Sequence, residues 1–211
     1  MTSTARFPWL TTALGVATLA AWTVPGAADV LAFDRDALAA GAWWRVVTGH
    51  FVHWTTNHLV WDLGAFLVLG GLIERRSRRE FGLTLVSAAA AISAGVWLFA
   101  PQLETYRGLS GLDTALFAAI VARAGCESFA RRAWLSTAIS TLAVMAFVVK
   151  TTVECVGQQP LFVAADATFV SVPLAHIVGA CVGTAVACGL TWRESKGSEE
   201  TLPRLEAMGG S

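Results

Sequence analysis

HFVHWTTNHLVWDLGAFLVLGGLIERR, residues 50–76, sets an apolar run between an aromatic, polar entry and a pair of arginines. From about 55 to 73 it is long enough to cross a bilayer as a helix, which takes about 20 residues. Yet His58 and Asp62 lie inside the run. Four residues apart, they share a helix face. Ionisable side chains within a span are costly enough to mark function by default. The stretch predicts a membrane helix that turns a polar face toward the protein interior. His50 and His53 stand just ahead of it.

The rest of the chain has the composition to match. Of 211 residues, 55% are hydrophobic and 14% charged, against about 25% charged in a soluble domain. Net charge is zero, which gives a nucleic-acid partner no electrostatic support. Six spans are predicted, at about 9–30 (broken by Pro25), 55–73, 81–100, 110–124, 134–149 and 167–192. The fourth and fifth are short, and a short span can begin inside the protein, where water reaches it. Residues 34–51 mix apolar, aromatic and charged types and read as an amphipathic element in the outer interface. The fold class expected is an all-α membrane protein: one transmembrane domain over 1–192, an interfacial first loop, and a polar cytoplasmic tail over 193–211.

Basic residues orient the spans, since cytoplasmic loops are rich in Lys and Arg. With the N-terminus inside, the inner segments hold Arg6, Arg75, Arg76, Arg78, Arg79, Arg123, Arg131, Arg132, Arg193, Lys196 and Arg204. The outer segments hold only Arg35, Arg45, Arg107 and Lys150. Both termini are therefore expected in the cytoplasm, with the chain in the cell (inner) membrane. Trp9, Trp43, Trp44, Trp134 and Trp192 fall near span ends, as an aromatic belt requires. A rival reading takes the first span as a cleaved secretory signal ending at Ala28; the apolar stretch continuing past Pro25 favours retention. Cys126, Cys155, Cys181 and Cys188 form no CxxC pair and read as small apolar packing residues rather than a disulfide frame or zinc site.

His58 and Asp62 admit three readings: a metal site, a structural hydrogen-bonded pair, or the lining of an active site. Their spacing is not that of HExxH, and no metal or cofactor is expected. His176 is alone in the sixth span, one turn before Gly179 and Gly183, whose small-xxx-small spacing lets another helix approach closely. Ser110 opens the fourth span between Gly108 and Gly111. A serine there serves as an N-cap. Where a base takes its proton it serves instead as a nucleophile, with helix-start amides to hold an oxyanion. Asp113, in the first turn, suits the helix dipole.

Five elements, in order, resemble the rhomboid intramembrane serine proteases across roughly residues 41–189. They are Trp44-Arg45 in GAWWRVV, the H-x4-H-x3 pattern of His53, His58 and position 62, Gly70, Gly71 and Glu74 in GGLIERR, Ser110 in GLSG, and His176 followed by Gly179 and Gly183 in AHIVGACVG. The resemblance implies a rhomboid-like bundle and a Ser–His dyad without a carboxylate third member. Ser110 would be the nucleophile and His176 the base. His58 and the Ser110 N–H would face the oxyanion, with Gly108 and Gly111 shaping the site. Trp44, Arg45, Glu74, Gly179 and Gly183 would be structural. The family usually has Asn where this chain has Asp62, so the third oxyanion donor is an acceptor here. The compact form is most similar to the rhombosortase-like branch, which processes C-terminally anchored proteins. The partners implied are a membrane-anchored protein substrate and the lipid bilayer. Two other functions remain open: a rhomboid-like module that binds membrane clients without cutting, and a small transporter using His58 and Asp62 as a proton relay.

Overall fold

The structure, a computed structural model, describes residues 6–157 and 172–209, and it is 81% helical. In chain order the elements are α1 (Trp9–Thr23), α2 (Ala27–Leu31), β1 (Phe33–Asp34), α3 (Arg35–Ala39), α4 (Arg45–Thr48), a 3-10 turn (Gly49–Phe51), α5 (Thr56–Arg76), α6 (Arg78–Phe99), β2 (Thr105–Tyr106), α7 (Ser110–Ala130), α8 (Trp134–Gly157) and α9 (Pro173–Gly209). Four of them, α5, α6, α8 and the 173–196 part of α9, are long and apolar enough to cross a membrane. The other two expected spans fall short for identifiable reasons. α1 stops at 15 residues, ahead of Pro25, where Gly26 turns the chain at φ 76°. α7 has 21 residues but carries Asp113, Arg123 and Glu127.

Polarity is arranged for lipid. Large apolar side chains such as Val68, Val86, Phe99, Leu135 and Val156 point outward, while Thr11, Glu74, Glu80, Thr84, Ser93 and Arg123 are buried. The five belt tryptophans are exposed. In a bilayer, buried polar groups need partners within the protein, and the buried ions Glu74 and Arg123 have them. Glu74 accepts from Leu10 N (3.0 Å), Thr11 N (2.7 Å) and Thr11 Oγ1 (2.9 Å), so it caps the N-terminus of α1 from α5. Arg123 reaches Glu80 Oε1 at 3.1 Å and grips Glu194 with two N–H groups at 2.8 and 3.0 Å. Glu127 joins Arg123 to Arg76 in the same cluster.

These pairings lengthen the spans beyond their apolar runs. α7 continues past 124 to Ala130 because Arg123 and Glu127 are neutralised by partners on α5, α6 and α9. α8 continues past 149 to Gly157, across Lys150 and Glu154, which pair at 2.7 Å one turn apart. α7 and α8 are therefore 21 and 24 residues long, longer than the short helices expected at 110–124 and 134–149. Arg123 and Lys150, counted above with the loops, sit within helices. The expected start of the sixth span at 167 lies outside the described residues. α9 runs on to Gly209, through most of the segment read as a tail. None of the cysteines is in a disulfide, and Cys126, Cys181 and Cys188 are exposed rather than packed inside.

α7 is the centre of the bundle and contacts α5, α6, α8 and α9. Against α9 the backbones nearly touch. A Cβ on Gly179 would lie 2.2 Å from the Gly111 carbonyl oxygen, and one on Gly183 would lie 2.0 Å from that of Ala115. Only glycine allows this approach.

The first loop fixes where α7 begins. β1 pairs with β2 antiparallel, Phe33 opposite Tyr106 and Asp34 opposite Thr105. Asp34 caps α3 through the Ala37 N–H at 2.8 Å. Arg35 sends its guanidinium to the carbonyls of Val96, Ala100 and Leu103 at 2.7–2.9 Å. A cation there satisfies the open end of α6. Arg45 ties back to the Ala32 carbonyl (2.8 Å) and Trp44 to that of Val30 (3.3 Å).

Candidate active site

Ser110 is the first residue of α7. The cap position is Leu109, whose side chain makes no cap hydrogen bond. The Ser110 hydroxyl is thus not used as an N-cap. The main chain is used: the Ser110 N–H donates to Asp62 Oδ2 at 3.1 Å, and the Ser110 carbonyl accepts from Thr114 Oγ1 at 2.8 Å.

The same Asp62 oxygen lies 3.0 Å from His58 Nε2 and 3.4 Å from His53 Nε2. All three side chains are buried. Asp62 and His58 come from one face of α5, as their i,i+4 spacing requires. His53 arrives from the loop before α5, its ring 4.9 Å from that of His58. Gly108 seals the corner from the other side. Its φ is +126°, and a Cβ there would lie 2.8 Å from His58 Nε2 and 3.3 Å from Asp62 Oδ2. The chain passes over the imidazole at a distance only glycine permits, in a conformation it favours.

Among the described residues, His53, His58 and Asp62 also form a group that could hold an ion, their ligand atoms lying within 4.8 Å of one another. The backbone donor that Asp62 Oδ2 takes from Ser110 favours a hydrogen-bonded cluster instead. Chemically, an amide N–H and an imidazole converging on one oxygen make a corner that receives negative charge.

His176 stands in the first turn of α9, buried. The glycine seam brings it to the head of α7: a Cβ on Gly111, next to Ser110, would lie 3.3 Å from the Ala175 Cβ, next to His176. The Ser110 hydroxyl and the His176 ring form no hydrogen bond. In substrate-free sites such bonds are often long and tighten only with substrate bound.

The remaining polar candidates separate from this group. Asp113 is buried one turn into α7, with Oδ1 unpartnered among the described residues. His50 packs its Nε2 3.2 Å from both the Ala89 carbonyl and Ser93 Oγ. Burial pushes His50 down to about 4, against the opposing effect of its carbonyl contact, so the ring is neutral. A cleft of about 270 Å³ lined in part by Asp29, His53, Trp54 and Arg107 reaches the cluster from the loop side.

The sequence reading missed one acid. Glu154 of α8 is 2% exposed, and its Oε2 lies 3.5 Å from His176 Nδ1. The signal was present: Lys150 and Glu154 are an i,i+4 charge pair just beyond the apolar run.

A family model for the Rhomboid domain matches residues 40–193. The chain belongs to the rhomboid family, whose members are generally intramembrane serine proteases and some of which are inactive. It is a multi-pass membrane protein of that family. No curated protein matches the chain.

Proposed function

We propose that this chain is an intramembrane serine endopeptidase with Ser110 as nucleophile and His176 as general base. The observation that carries the proposal is that Ser110 heads α7 with its hydroxyl not serving as a cap, beside the glycine seam that ends at His176. His176 takes the hydroxyl proton as Oγ attacks the scissile carbonyl, then returns it to the leaving amine. Water repeats the cycle on the acyl-enzyme. His58 and the Ser110 N–H receive the oxyanion.

The wider frame belongs to the same proposal. Residues 1–192 form one domain of six spans, with both termini and the 193–211 tail cytoplasmic and the site opening toward the outer face of the inner membrane. The substrate is a membrane-anchored protein. A place in the rhombosortase-like branch, with C-terminally anchored substrates, rests on the resemblance alone.

One observation favours a second reading. The Asp62 carboxylate holds the Ser110 N–H that an oxyanion would need. A module that binds membrane clients without cutting them tolerates that arrangement. The two readings part in a cleavage assay on a model anchored substrate in proteoliposomes. The protease reading expects Ser110→Ala and His176→Ala each to lose activity by about 10⁴-fold or more. Full cleavage by both variants overturns it, and no cleavage by the wild-type chain on any anchored substrate favours the binding module.

A further inference from the structure

α8 is a helix turned inside out. Of its 24 residues, the fully buried ones are Thr151 and Glu154, both polar, while most of its large apolar residues are exposed and Phe147 packs half-buried on Phe117. A carboxylate within a span is costly unless paired, and Lys150 pairs with it at 2.7 Å from one turn away. That pairing would be met equally well at the helix surface. Instead Glu154 is carried inward to 3.5 Å from His176 Nδ1, where Lys150 is still one-quarter exposed and Glu154 is not.

We propose that Glu154 is a positioning residue for His176, the third member of a Ser110–His176–Glu154 relay. It rests on the assignment of Ser110 and His176 as nucleophile and base. The carboxylate accepts the Nδ1–H of His176, which leaves Nε2 bare toward Ser110. When Nε2 takes the Ser110 proton as the Oγ–carbon bond forms, the ring becomes an imidazolium. The neighbouring carboxylate stabilises that charge without taking the proton. Lys150 keeps the carboxylate held in place. At the present 3.5 Å His176 Nδ1 makes no hydrogen bond, so the relay requires this separation to shorten when substrate is bound. The relay departs from the dyad that the family resemblance implies.

The test uses the full chain in proteoliposomes with Glu154→Gln, which keeps the shape, and Glu154→Asp, which keeps the charge. Glu154→Gln is expected to lower kcat by about 10²–10⁴-fold with KM within about twofold, and Glu154→Asp to restore part of the loss. A second readout is spectroscopic. The chain has four histidines, so imidazole-15N labelling gives a countable set, with His176 identified by its loss in His176→Ala. Wild type is expected in the Nδ1–H tautomer and Glu154→Gln in the Nε2–H form or a mixture. Full kcat in Glu154→Gln, a rise in KM alone, or an unchanged tautomer overturns the relay. Where Ser110→Ala is inactive in the same assay, the dyad stands without it. Where Ser110→Ala is active, the dyad itself has failed. If Glu154→Gln does not fold, the tautomer in folded Glu154→Asp decides, a wild-type pattern supporting the relay and an Nε2–H pattern overturning it.

Discussion

Asp62 and Glu154 are buried carboxylates that approach the two proposed catalytic residues from different elements, Asp62 at the Ser110 main chain and Glu154 at the His176 ring. Asp62 takes the Ser110 N–H at 3.1 Å, next to two imidazoles. Glu154 stands at the far nitrogen of His176 with Lys150 behind it. The residue types are nearly the same, but the charge each one meets is opposite. Under the proposed mechanism, peptide cleavage builds an oxyanion on the Asp62 side and an imidazolium on the Glu154 side. A fixed negative charge opposes the first and favours the second. What a carboxylate does here follows from which developing charge it faces.

The contrast gives expected outcomes of opposite sign. Glu154→Gln carries the larger one, the loss of kcat given above. Asp62→Asn is expected to raise kcat/KM about tenfold, because an amide both accepts the Ser110 N–H and offers a donor to the oxyanion. A fall as large as that of Asp62→Ala, measured on the same substrate, would mean that the carboxylate is needed and would break the comparison.

Two further variants sharpen the geometry on each side. Gly108→Ala forces a left-handed φ on alanine and drives a methyl into the His58 ring. The strain costs about 1–3 kcal/mol, and activity should drop while Glu154 and His176 stay in place. Retention of full activity would show that His58 does not face the oxyanion. Gly183→Ala puts a Cβ against the Ala115 carbonyl, which is backbone and does not yield. A destabilisation of roughly 1–3 kcal/mol is expected, read as a lower thermal midpoint in detergent, with an unchanged midpoint arguing against the seam.

A last prediction is a control outside both carboxylates, expected to leave activity near neutral pH unchanged. His50 is neutral in the fold at about 4 against 6.5 when unfolded. Its contribution is complete above pH 6.5 and is lost as pH falls toward 4, because the unfolded chain binds the proton first. The loss, complete only below pH 4, is on the order of 3 kcal/mol. His50→Gln should flatten the fall of the thermal midpoint with acid, and parallel curves for the two proteins would remove His50 from the account.

The helices were legible in α5 and α6, where the apolar run is long enough to carry the reading even past His58 and Asp62. They were misjudged where a charge interrupts the run. Reading α7 as ending at 124 and α8 at 149 follows from treating Arg123 and Lys150 as loop residues. The structure continues both helices because Glu80, Glu194 and Glu154 neutralise those charges from within the bundle. That is a tertiary fact, and a linear hydropathy reading does not contain it. The same rule hid Glu154, since an acid past the end of a predicted span draws no attention. Ser110, His58 and His176 were visible because each is a polar residue in an otherwise apolar or glycine-rich setting. The capping of α1 by Glu74 was visible only as a motif residue; its three donors come from residues more than 60 positions away.

The central claim is that His176 activates Ser110, and fluorophosphonate labelling of the full chain tests it most directly. Mass mapping is expected to find the adduct on Ser110 in wild type, and the labelling rate is expected to fall by at least about 10²-fold in His176→Ala. An adduct on another residue, or the same rate on Ser110 without His176, would contradict the account.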